Sequence, residues 1–214
     1  MKKTALFVSA MLIATLLMGV NQKYYQKMGE TISEFSSCSS VEEFQTLANK
    51  FRVIANVEKE EWLPLYYEAQ CYIMISFMEN LSADDKDTYL EKASSIIGNM
   101  TEIAPNEAEI HVLEAFYLTG SLVVNPPQRA MNTTPLIHAA IDKALAIEPN
   151  NPRARFMSIS NELGTAAYFG DDTAPMCERA VELLQNWDSY TLKSPIHPNW
   201  GKDAIEGIVN SCGK

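Results

Sequence analysis

The residues best suited to metal or nucleophile chemistry in this 214-residue chain are three histidines and four cysteines. His111, His138 and His197 are scattered. No HExxH pattern and no clustered carboxylates accompany them, so no metal site is expected. There is no GxSxG elbow, no P-loop and no GxGxxG turn. The chain therefore reads as non-catalytic, with no cofactor. His138 lies beside the apolar stripe of its helix and reads as a boundary residue, while His111 could face a groove. Cys38, Cys71, Cys177 and Cys212 form no CxxC pair, which argues against a redox motif or a zinc knuckle. Four cysteines allow three complete pairings. The preferred single bridge is Cys177 with Cys212, since both fall on helices of the C-terminal packing unit. The plainer reading of each cysteine is a small buried apolar residue.

Three further side chains could hold a partner. Arg129 could bind an acidic group, and Arg153, opening a helix with Arg155, could grip a carboxylate through its planar fork. Tyr67, next to Tyr66, could line a groove. Each has a simpler alternative: solvated surface for the arginines, core packing for the tyrosines. Glu58, Glu60 and Glu61 read as a solvated helix start.

Apolar residues make up 47% of the chain, enough for a proper core, and the formal net charge is -10. An acidic excess repels nucleic acid and anionic lipid, so neither is expected as a partner. Residues 1–21 read as a secretory signal: Lys2 and Lys3 precede an uncharged run from Thr4 to Val20. That run is slightly short for a membrane helix, and an uncleaved anchor is the alternative. No membrane span is expected once the signal is removed. Export, with a periplasmic destination, puts the cysteines in an oxidising compartment. Residues 22–214 are expected to form one helical domain.

The elements that must position these groups are helices. Leu136 to Pro152, LIHAAIDKALAIEPNNP, is an amphipathic helix running into Pro and Asn, and Tyr89 to Ala108 is a softer copy. The Pro-Asn pairs at Pro105 and Pro149 lie 44 residues apart, a recurrence that marks a stacked helical array. Helices are expected over Gln22–Ser37, from a capping box at Ser40 through Ile54, over Glu60–Met78, Asp87–Ile103 and Glu107–Thr119. More follow from Pro135, over Arg153–Phe169 and Ala174–Trp187, and from Lys202. Asp84 and Asp85 are available as caps, and Thr134 is read as the cap of the helix that Pro135 opens. Glu60–Met78 is apolar nearly all round and should be the central helix. Gly120–Thr133, GSLVVNPPQRAMNT, reads as a long loop and hence a place for binding; a surface loop with Leu122 and Val123 tucked onto the core is the alternative. Ile205, Ile208, Val209 and Cys212 give the last helix one apolar face with which to close the stack.

Ala93-(x3)-Ile97-(x7)-Pro105 and Ile137-(x3)-Ile141-(x2)-Ala144-(x4)-Pro149 resemble the second helix of a tetratricopeptide repeat. Ala115 and Leu118 stand where residues of a first helix belong. The period is 44 rather than 34, and His111 and Ala115 replace the consensus Trp and Gly. As a whole the chain resembles a group of exported tetratricopeptide-repeat-like proteins of Bacteroidetes-type bacteria. The stretches that carry this are Phe51–Tyr72, Asn125–Met131, Lys143–Ala154 and Ser194–Glu206. The resemblance implies an all-α solenoid of antiparallel hairpins with a C-terminal capping helix. It also implies an exported scaffold for a protein or peptide partner. The alternative is a small-ligand-binding protein or hydrolase using a cleft beside residues 120–133, with Arg129 brought near Arg153 and His111.

Overall fold

A computed structural model describes residues 22–212, so the leader expected at 1–21 lies outside the described residues. The described residues form nine α-helices and two short 3-10 turns, with no strand among them. Helix α1 spans 22–33. It is followed by α2 (Val41–Val57), α3 (Leu63–Ser76), α4 (Ala83–Ile103), α5 (Ala108–Val124), α6 (Pro126–Ile147), α7 (Pro152–Phe169), α8 (Ala174–Asn186) and α9 (Lys202–Cys212).

Local chemistry sets most of these boundaries. Ser40 and Glu43 form a reciprocal capping box at the start of α2, satisfying amides that have no intrahelical partner. Ser82, rather than Asp84 or Asp85, caps α4 and accepts from the Asp85 amide. The hydroxyl sits one residue before the first helical turn, where a cap must be. Asn151 caps α7 through the Ala154 amide at 2.9 Å. Gly170 ends α7 at φ 76°, a left-handed conformation that costs glycine little.

From α2 onward, each helix packs against the next, and α5 also touches α3 and α7 two positions away. Helices α3, α5 and α7 thus make an inner layer. The main core lies between α2, α3 and α4, around Phe51, Tyr66, Ile73 and Met100. The stripe Phe44, Leu47, Ala48, Phe51 and Ile54 of α2 is buried throughout. Helix α3 is buried on most sides, as its all-round apolar surface requires. A second cluster joins α5, α6 and α7, and a third joins α7 to α8 and α9. On α7 the buried stripe runs through Ala154, Met157, Ile159 and Ala166, not through Phe156, Leu163 and Ala167. The Cys177–Cys212 disulfide ties α9 to α8, while Cys38 and Cys71 carry free thiols.

One expected loop is absent. Helix α5 continues to Val124 and α6 starts at Pro126, so residues 120–133 are almost entirely helical. Pro126 and Pro127 occupy the first turn of α6, where an amide proton has no intrahelical partner. Pro135 lies inside α6 rather than opening it, and Thr134 is not a cap. Proline in a helix interior removes one hydrogen bond, at a cost of about 3 kcal/mol. Pro135 sits on the exposed side of α6, where water reaches the helix. The residues beyond a 34-residue period therefore lengthen the hairpin instead of forming a loop. Gly120 allows this: a Cβ there would lie 2.9 Å from Ser76 Oγ and 3.2 Å from Leu90 Cδ2.

Candidate functional site

The N-terminal ends of the inner helices are covered by the chain's own return. Residues 190–200 cross from α8 to α9 as a strap without regular secondary structure. Tyr67 donates its hydroxyl proton to the Ile196 carbonyl at 3.0 Å. Trp200 Nε1 donates to Tyr66 Oη at 2.7 Å. The Trp200 ring stacks on Phe116 with centroids 5.3 Å apart and meets Phe156 edge-on. His197 packs edge-on against Trp62 and is buried, with no hydrogen-bond partner for Nε2. Burial pushes its imidazole below the ordinary histidine value, with Glu109 and Glu107 opposing that shift.

Beneath the strap lies a buried ion pair. Arg153 donates from Nε to Glu109 Oε2 at 2.8 Å and from Nη2 to Oε1 at 2.6 Å. Asn151 Nδ2 adds a third bond to Glu109 Oε1 at 2.5 Å. Burial would lower the Arg153 pKa, but the Glu109 bonds and charge outweigh it and hold the guanidinium above its ordinary value. Glu109 and Arg153 are the second residues of α5 and α7 and are 44 positions apart, one sequence period. An acid and a base at equivalent positions of consecutive units were the sequence signal for this pair.

The expected partner-binding residues do not converge. Arg153 is spent on Glu109, and Tyr67 on the strap. His111 Nδ1 lies 3.1 Å from Glu114 Oε2 on its own helix. Arg129 grips both oxygens of Asp87 on α4, at 2.7 and 2.6 Å, and also reaches Ser121 near the end of α5. Glu109 and Ser121 are twelve residues apart on α5, which puts Arg129 about 18 Å from Arg153 at 1.5 Å per residue. Because α5 is one unbroken helix, it holds these groups at opposite ends.

Two other surfaces can be weighed. A polar cleft of 760 Å³ separates the strap from the start of α7 and of α9; Arg153, Asp188, Tyr190, Lys193, His197 and Lys202 line it. Its cations are already paired, Lys193 with Glu107 at 2.8 Å and Lys202 with Asp188 at 2.6 Å.

The second surface is apolar and belongs to α6 and α7. Met131 is 88% exposed, Tyr168 75% and Phe169 71%. The two aromatic rings meet edge to face, with centroids 5.1 Å apart. Met131 and Phe169 are equally distant in sequence from the turn at Asn150. His138 and Glu162 are also equally distant from it, two helical turns nearer. Residues seven apart share a helix face, so Met131 and His138 lie on one face of α6, and Glu162 and Phe169 on one face of α7. Glu162 is anchored by Arg179 of α8 and by Ser158. Burial would raise its pKa, but those bonds prevail, helped by the nearby charge of His138, and hold the carboxyl below its ordinary value. His138 is half-buried on α6. Sequence periodicity marks it as a boundary residue but does not show which helix faces it. Among the described residues no group of three or more His, Cys, Asp or Glu is placed to hold a metal ion, and no helix is long and apolar enough to cross a membrane.

This arrangement, an all-helical array of consecutively packed helices with Tyr168 and Phe169 exposed at the end of α7, defines the class. No family model and no curated protein matches the chain. Among solved structures it is similar to the HusA haemophore from Porphyromonas gingivalis, with 26% sequence identity and a TM-score of 0.77. The match covers 88% of this chain and 92% of that one. The two chains thus share an all-helical fold.

Proposed function

We propose that this chain is an exported, non-catalytic binding protein whose cargo is a flat, largely apolar ring of the porphyrin class, seated on Met131, Tyr168 and Phe169. The hairpin array is read as tetratricopeptide-repeat-like and the compartment as the periplasm. The flank that repeats of that kind offer to a peptide is here taken by residues 190–200, which disfavours a peptide lying along the N-terminal ends of the inner helices. The observation that carries the proposal is the exposure of Tyr168 and Phe169, in mutual contact at the end of α7, with Met131 exposed on the helix before it. Exposed singly, such residues need no explanation; grouped, they mark a binding surface. The likeness to a haemophore supports haem as the ring. The fit rests on donor chemistry: aromatic edges pack against flat rings, and both an imidazole and a thioether are established ligands of haem iron.

Covering the three side chains would contribute roughly 4.5–9 kcal/mol gross, at about 1.5–3 kcal/mol each. Association costs at least about 4 kcal/mol, so the apolar contacts alone give weak binding. The test is a titration of the mature chain with haem and with metal-free protoporphyrin IX, followed by absorbance and by quenching of tryptophan fluorescence. Saturable one-to-one binding is expected, weakened roughly tenfold or more by Tyr168→Asp or Phe169→Asp. Binding that both variants leave intact would remove the surface from the argument. A second reading, a protein partner on the same surface, is favoured by the same exposure. It is the result to take up if no porphyrin binds and the two variants instead abolish a complex recovered from the cell envelope.

A further inference from the structure

We propose that the 760 Å³ cleft between the strap and the starts of α7 and α9 is a second binding site, whose ligand is a small zwitterion of the dipeptide class. The inference stands apart from the porphyrin reading, which concerns the other end of α7.

Size and charge point to that class. Small-molecule sites commonly enclose about 300–1,000 Å³, a range that admits a two-residue peptide. Three cations line the cleft, Arg153, Lys193 and Lys202, together with three carboxylates, Glu148, Asp188 and Asp203. Behind the first two cations, Glu109 and Glu107 add further negative charge. A simple anion would be repelled by that surplus, so a matching ligand brings a positive charge of its own.

Two buried side chains on the wall have hydrogen-bonding capacity to spare. Arg153 commits Nε and Nη2 to Glu109, and its Nη1 has no hydrogen-bond partner among the described residues. The bidentate grip of Glu109 fixes the guanidinium plane, which leaves Nη1 as a preset donor for a carboxylate oxygen. His197 is 6% exposed, and its Nε2 is unpartnered. Buried polar atoms are nearly always bonded, so an orphan nitrogen on a cleft wall is a place for a ligand's polar group. The charges of Arg153 and Lys193 both act on the His197 imidazole. These three groups therefore stand together and receive the ligand's carboxylate. Its ammonium group goes to Asp188, just beyond α8, and to Asp203 in the first turn of α9. The resident ion pairs do not close the site. The Lys193 and Asp188 side chains are both exposed, and pairs this open contribute little, so their members exchange readily for a ligand's charges.

The probes are alanyl-leucine, its N-acetylated form, which lacks the positive charge, and its C-terminal amide, which lacks the negative one. Each is titrated calorimetrically into the mature chain and into Lys193→Met and Asp188→Asn. Saturable one-to-one binding of alanyl-leucine is expected. Acetylation, amidation and either substitution should weaken it roughly tenfold or more. The melting temperatures of both variants should stay close to the parent's, because exposed pairs contribute little to stability. If the parent does not bind alanyl-leucine, the proposal falls and the reading of Tyr168 and Phe169 is untouched. Binding that both variants leave intact, or that acetylation leaves unchanged, overturns it as well.

Discussion

Removing one member of the Glu109–Arg153 pair should be among the most damaging single changes available to this chain. The Glu109 side chain is 0% exposed and the Arg153 side chain 6%, so neither charge can turn to water when its partner is lost. Breaking a buried pair of this kind costs about 3–5 kcal/mol, because an uncompensated charge is left in the interior. Glu109→Gln keeps the shape and leaves the guanidinium unneutralised; Arg153→Met leaves the carboxylate facing Asn151 alone. At roughly 2–4 °C per kcal/mol for a chain of this size, either variant should melt about 6–20 °C below the parent. The double variant Glu109→Met/Arg153→Met separates the pair's cost from its geometry. A buried pair replaced by apolar groups of similar volume is often neutral or stabilising. Asn151 Nδ2 keeps a second acceptor, Glu148 Oε2 at 3.0 Å, so the double variant should recover most of the loss. Urea unfolding with the disulfide intact, monitored by circular dichroism at a common slope, measures all three. Single variants within about 1 kcal/mol of the parent, the range of exposed pairs, would refute this account. So would a double variant worse than the sum of the singles.

Gly120→Ala should destabilise despite the better helix propensity of alanine, because the new methyl meets Ser76 Oγ at 2.9 Å. Overpacking of this sort costs about 1–3 kcal/mol, and adding Ser76→Ala should return most of it in the same urea assay. Stability should fall in mild acid through His197. Its folded-state pKa is depressed by burial from the ordinary 6.5, so the unfolded chain takes up the proton first. The contribution is complete above pH 6.5 and is lost as pH falls toward the folded value. His197→Gln should flatten that part of the pH profile, and a parent profile already flat there would contradict the burial described.

Much of the architecture is legible from local pattern. The stripe on α2, the capping box at Ser40, the apolar girth of α3 and the helix ends at Pro105 and Pro149 all follow from spacing and cap chemistry. The junction between α5 and α6 was misread because proline is ambiguous. It opens a helix as readily as it breaks one, and Pro126-Pro127 together with Pro135 look like a loop unless the neighbours of Gly120 are known. The strap is less legible still. Tyr67 and Ile196, or Tyr66 and Trp200, lie more than a hundred residues apart, and no periodicity links a segment of Ser, Pro, His and Asn to α3. The exposed Tyr168–Phe169 pair is not legible in the sequence, because helix periodicity does not show which end of α7 is left uncovered by its neighbours.

The bond between Cys177 and Cys212 joins residues 35 positions apart, and the whole of the strap lies within the ring it closes. A protease that clips the chain between Tyr190 and Trp200 would therefore release nothing. The two fragments would stay linked, running as one band on a gel until a reductant is added, and α9 would remain moored to α8. The chain is in this way held together where it is least regular.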